Sequence, residues 1–123
     1  MITQDNILNA LNTWIETMQN LNPQSVSDLY TKDAQFWGTL APELSTTPQS
    51  RLAYFQSFLS GKDGLSITLN DDTTTHSFAD TGLVSGSYVF SFGGTSIPAR
   101  YSFTFNAEGK ILHHHSSLVP EKG

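Results

Sequence analysis

The chain has 123 residues, no cysteine and a formal net charge of −5, with only 14% of its residues charged. That length can bury a core without staples and points to one domain over residues 1–123. The missing thiols exclude disulfides and thiolate metal sites, and six Lys and Arg scattered singly leave no basic stripe for nucleic acid.

No run of 18 or more apolar residues is present, so no membrane partner is expected. The start lacks the charged-then-apolar layout of a secretory leader. The expected compartment is the cytoplasm, with a leader to periplasm or organelle removed ahead of Met1 as the alternative.

From the start, Ile7, Leu8, Leu11, Trp14, Ile15 and Met18 recur with the helical period, with Thr3 or Asp5 as cap and Asn22-Pro23 as the end. A shorter helix is expected from about Gln24 to Thr31, with Val26, Leu29 and Tyr30 inward, and then a strand over Ala34 to Leu40. After a loop at 41–46, Thr47-Pro48 opens a third helix. Leu52, Phe55 and Leu59 form one stripe on it, Arg51, Tyr54 and Phe58 form another, and Gly61 stops it. The rest reads as strand: Ile67 and Leu69, then Val84 to Phe92 alternating with serines, then Ala99 to Phe105 after Gly93-Gly94, and finally Lys110 to Leu118. Helices first and antiparallel strands after give an α+β fold, a curved sheet with helices on its concave face.

His113-His114-His115-Ser116-Ser117 suggests a metal site, but neighbouring strand residues face opposite ways. His113 and His115 share one face, and His114 and Ser116 share the other. With Gly109 left-handed in a three-residue loop, Arg100 lies opposite Ser116 and Ser102 opposite His114; another loop length would put Tyr101 opposite His114. A carboxylate to complete a metal set with His113 and His115 could come only through the fold, from Glu43 or Asp33. Arg100, one of two arginines, reads either as a solvated outer-face residue or as an anchor for a carboxylate or bicarbonate. Tyr54 reads as a core aromatic whose hydroxyl still needs a partner.

This order of elements resembles the cone-shaped α+β superfamily of nuclear transport factor two, scytalone dehydratase and SnoaL-type cyclases. The stretch Ala99-Arg100-Tyr101-Ser102-Phe103-Thr104-Phe105 through Ile111 to Ser117 is similar to the association domain of calcium/calmodulin-dependent kinase II. With Trp37-Gly38-Thr39-Leu40, Thr46-Thr47-Pro48 and Tyr54-Phe55-Gln56-Ser57-Phe58-Leu59 added, the chain most resembles the iota-class carbonic anhydrases. Trp37-Gly38 departs from the smaller apolar residues and proline that other members often carry there.

The resemblance implies a lyase that hydrates CO2 to bicarbonate. Its pocket would use the Thr39 hydroxyl, the Tyr54 phenol and a serine of the last strand, taken as Ser116, with its neighbour Ser117 as the alternative. His114 would take or pass the proton and Arg100 would hold the bicarbonate charge. No cofactor and no metal are implied, and a homodimer is expected. The kinase-type resemblance implies instead a non-catalytic association module that binds small carboxylates. A SnoaL-like isomerase or cyclase would want an Asp–His pair, for which Asp33 is the candidate.

Overall fold

The computed structural model describes residues 2–120, leaving Met1 and the last three residues of the expected domain outside the description. Helix α1 spans Gln4–Gln19 and α2 spans Pro23–Ser27, followed by strand β1 (Tyr30–Trp37) and helix α3 (Pro48–Leu59). Strands β2 (Ser66–Leu69), β3 (Thr74–Phe78), β4 (Thr81–Phe92), β5 (Thr95–Phe105) and β6 (Ile111–Leu118) complete the chain. They form one curved, unclosed six-stranded sheet in the order β1-β6-β5-β4-β2, with β3 paired to β4 beside β2. No helix of the described residues is long and apolar enough to cross a membrane.

Each helix starts where its cap dictates. Thr3 accepts from the Asn6 N–H while the Asn6 side chain accepts from the Thr3 N–H, a reciprocal capping box. Asn22 caps α2 and Thr47 caps α3, each followed by proline at the first helical position. Asn22-Pro23 therefore opens α2, while α1 stops at Gln19. α1 lays Ile7, Leu11, Trp14, Ile15 and Met18 onto the sheet, all buried. On α3 the buried face combines the two expected stripes: Arg51, Phe55, Phe58 and Leu59.

Three expectations are corrected. The second helix is one short turn, because Tyr30 already pairs with Ile111 and starts β1, which then ends at Trp37. β1 runs parallel to β6, so the sheet is not wholly antiparallel. β3, unread in the polar stretch after Asn70, forms a hairpin with β4.

The fourth correction decides the site. The turn at Ala107–Gly109 is as expected, with Gly109 at φ 80°, and Phe105 faces Ile111. A bulge at Leu112 then slips the register by one, so Thr104 faces His113, Phe103 faces His114, Tyr101 faces Ser116 and Arg100 faces Ser117. Ile111 is buried, and unbroken alternation from it would turn His113, His115 and Ser117 inward. The extra residue gives the inner face to His114 and Ser116 instead, which are 1% and 2% exposed.

Candidate functional site

Inside the cone, Thr39, Tyr54, Ser116 and His114 border one small cavity of about 10 Å³. Thr39 lies just beyond the end of β1, Tyr54 is on α3, and the other two are on β6. The remaining wall is aromatic and apolar, from Trp14 and Phe36 to Phe58 and Phe90, and no charged side chain lines it among the described residues. A cavity of that size holds about one water molecule.

The Thr39 and Ser116 hydroxyls are 2.5 Å apart. The Tyr54 oxygen accepts from the Leu40 N–H at 3.3 Å, leaving its own proton free. Burial raises the Tyr54 phenol above its ordinary pKa, against the lowering pull of the Leu40 N–H and the Thr39 hydroxyl. Gly38 lies on that ring: a Cβ there would come within 2.3 Å of Tyr54 Cζ. Phe36, Gly38, Leu44 and Tyr54 also line a vestibule of about 210 Å³, and Tyr54 and Phe36 are shared with the cavity.

Tyr88, read from sequence only as one aromatic of an alternating strand, joins these groups. Its hydroxyl lies 2.7 Å from Ser116 Oγ and 3.2 Å from His114 Nε2. On the other side of the imidazole, the Tyr30 hydroxyl is 2.7 Å from Nδ1 and accepts from Trp14 Nε1–H at 3.1 Å. The one signal that marks Tyr88 in sequence is its hydroxyl on an otherwise apolar inward face.

The direction of the whole chain of bonds follows from Trp14, because an indole only donates. Tyr30 accepts from it, and the one acceptor within reach of the Tyr30 proton is His114 Nδ1. Burial among aromatic rings, then the charges of His113 and His115, hold the His114 pKa well below its ordinary value. The ring is therefore neutral, and its single proton is assigned to Nε2. It donates to Tyr88, Tyr88 donates to Ser116, and Ser116 donates to Thr39. The Thr39 and Tyr54 protons are left for whatever enters the cavity. Burial likewise raises the Tyr30 and Tyr88 phenols, so the cluster is made of neutral groups.

The other expected residues lie elsewhere. Arg100 is exposed and sits between Ser87 and Ser117 on the outer face, so the expected pairing with Ser116 is corrected by the Leu112 bulge. Ser117, the alternative serine, shares a shallow outer depression with Arg100 and His115. His113 and His115 stand outside, His115 with its ring centroid 6.2 Å from that of Trp37, and no group of three or more potential metal ligands occurs among the described residues. Asp33 is exposed and bonded to Thr31, and does not line the cavity.

A cone of this topology around an enclosed polar cluster is the architecture of nuclear-transport-factor-two-like proteins, and the chain belongs to the SnoaL-like domain family, which matches residues 7–121. Among solved structures, a Xanthomonas campestris protein assigned as a calcium/calmodulin-dependent protein kinase II association domain is 29% identical, with a TM-score of 0.80 over 91% of this chain and 84% of that one. The epoxide hydrolase/cyclase-like enzyme SalBIII, with a role in pyran ring formation in the polyether salinomycin, is 13% identical, with a TM-score of 0.75 over 97% and 95%. A Streptomyces avermitilis protein of the same fold family, assigned as a dehydratase, is 15% identical, with a TM-score of 0.76 over 95% and 97%. No protein of curated function matches the chain. The fold thus carries enzymes and association domains alike, and only the site can separate them.

Proposed function

We propose that this domain is a carbonic anhydrase of the iota type, hydrating CO2 to bicarbonate with hydroxyl groups in place of a metal-bound hydroxide. The observation that carries the reading is the convergence of Thr39, Tyr54 and Ser116, from three separate segments, on a cavity fit only for a very small molecule. At rest the cavity has no room for a polyether-sized cyclase substrate.

Zinc lowers the pKa of bound water from about 15.7 to roughly 7, which is on the order of 12 kcal/mol that hydroxyl groups do not supply. The route therefore avoids free hydroxide. Water oxygen attacks the CO2 carbon while one water proton passes to Thr39 Oγ1. The Thr39 proton passes in turn to a CO2 oxygen, and the product is neutral carbonic acid, which loses its proton in bulk water. Tyr54 O–H donates to the CO2 oxygen on which charge develops. Positioning against the aromatic wall contributes up to about 7–11 kcal/mol. A neutral product suits a cavity without a cation, which is why Arg100 is not needed. His114 acts through Tyr88 as a positioning residue that fixes the direction in which Ser116 donates.

Stopped-flow CO2 hydration, on protein exhaustively chelated and with its metal content measured, tests the reading. Activity should survive chelation and stay flat from about pH 7 to 9, where a zinc-bound water would show a rise near 7. Activity that returns only with added metal would move the chemistry to His113 and His115.

Absence of turnover in both states would favour the second reading, an association module, for which the 29% identity to the Xanthomonas association domain speaks. Carboxylate binding in the central cavity has no cation to support it.

A further inference from the structure

Among the described residues Arg51 is the one charged side chain that is buried, at 2% exposure, and the reactions considered above leave it unused. Its guanidinium lies over the Tyr30 ring, 5.1 Å from the centroid, on α3 where it faces α2. Nε reaches Ser27 Oγ at a long 3.4 Å, and Nη1 is buried with no hydrogen-bond partner. A buried guanidinium nitrogen without an acceptor is an unmet demand that native structures rarely leave standing. The residue forms part of the wall of a groove of about 380 Å³ between α2, β1 and α3, outside the central cavity. Ser27, Asp28, Lys32 and Gln49 share that wall. Asp28 is exposed and accepts from the Gln24 amide at 2.7 Å, and its charge acts on the guanidinium without a hydrogen bond to it.

We propose that this groove binds a small singly charged oxyanion of carboxylate geometry, held by the Arg51 guanidinium, with the Lys32 ammonium at the rim and the Ser27 hydroxyl and Gln49 amide as further donors. The planar guanidinium fork matches two oxygens on one carbon. Arg51 and Lys32 against Asp28 leave one net positive charge, which matches a monoanion and disfavours a dianion. Bicarbonate and organic carboxylates share this chemistry. The inference stands apart from the anhydrase reading, because it needs neither Thr39 nor Ser116.

The groove also has a built-in reporter. Tyr30, under the guanidinium, accepts from the Trp14 indole, so an anion at Arg51 is sensed at the Trp14 Nε1–H. The experiment is an NMR titration of the Arg51 Nε–H and Trp14 Nε1–H signals with acetate, bicarbonate and phosphate, at constant ionic strength set by chloride. Saturable shifts at both signals are expected with acetate and bicarbonate alike for a general carboxylate site, and with bicarbonate alone for a site dedicated to that anion. Lys32→Gln, an exposed change that leaves the core intact, should weaken binding by about two- to fivefold. Arg51→Lys, which keeps the charge but loses the fork, should weaken it by about tenfold or more.

Shifts that grow linearly without saturation, that chloride reproduces, or that Lys32→Gln leaves untouched would overturn the proposal and make Arg51 a purely structural stack on Tyr30. Phosphate dianion binding as tightly as acetate would overturn the monoanion assignment.

Discussion

Two phenols border the cavity with different hydrogen-bond partners, and substitution should separate them. Tyr88 stands between two buried partners, so Tyr88→Phe leaves His114 Nε2–H without an acceptor and Ser116 Oγ without its donor. It should cost about 1–3 kcal/mol of stability together with activity. The Tyr54 ring packs on Phe36, Phe55 and Phe58, but its hydroxyl meets only the Leu40 N–H and the edge of the Thr39 segment, so Tyr54→Phe, which keeps the ring, should leave the denaturation midpoint nearly unchanged. It should nevertheless lower kcat/KM by about 10²–10³, the usual effect of removing one preorganised donor. Equal losses of stability and activity for Tyr54→Phe would remove the phenol from the chemistry. Thr39 and Tyr54 stood out in the sequence only through resemblance, because a threonine beside a glycine and a tyrosine on an amphipathic helix carry no signal of their own, whereas Ser116 already shared a strand face with His114 in the histidine–serine run. Tyr88 was legible only as a core aromatic: on β4 it shares the inward face with Val84 and Phe90, and a single oxygen distinguishes its place from theirs.

At the scale of elements, the amphipathic α1, the Thr47-Pro48 start of α3 and the long strands β4 to β6 were all readable, because each rests on local periodicity or a cap. What pairing alone decides was not. Tyr30 has equal claim to a helix end or a strand start until Ile111 is beside it, and Leu112 looks like any strand residue until its partners on β5 are counted. The bulge yields an unusual expectation. Deleting Leu112 removes the extra residue while the pairs Phe105–Ile111, Thr104–His113 and Phe103–His114 persist, so the variant should fold and keep its site. Deleting His115, two pairs further on, should turn Ser116 outward and bring Ser117 in, with loss of turnover. Circular dichroism and CO2 hydration on both deletions check this, and a folded, active His115 deletion would contradict the assignment of Ser116.

For the molecule as a whole, the buried histidine ties stability to pH. The native His114 pKa lies well below the ordinary value and that of His113 lies below it, in both cases through burial first and neighbouring imidazoles second. The unfolded chain therefore binds protons below about 6.5 that the native state refuses. This contribution to stability is complete above that pH and declines as pH falls through it, by at most about 1.4 kcal/mol per pH unit for His114. Urea denaturation at about pH 7.5 and 5.5 should show the decline, and it should be shallower in His114→Gln, whatever that variant's absolute stability.

The narrowness of the inner cavity carries a mechanical consequence. At rest it has space for about one water molecule, yet CO2 hydration needs two reactants present together. On the anhydrase reading, each turnover must open the core by a volume on the order of 30 Å³, one small molecule's share of liquid water. The aromatic wall around Phe36, Phe58 and Phe90 must yield and close again every cycle. Turnover should then have a positive activation volume, and moderate hydrostatic pressure, well below what unfolds the domain, should slow it reversibly.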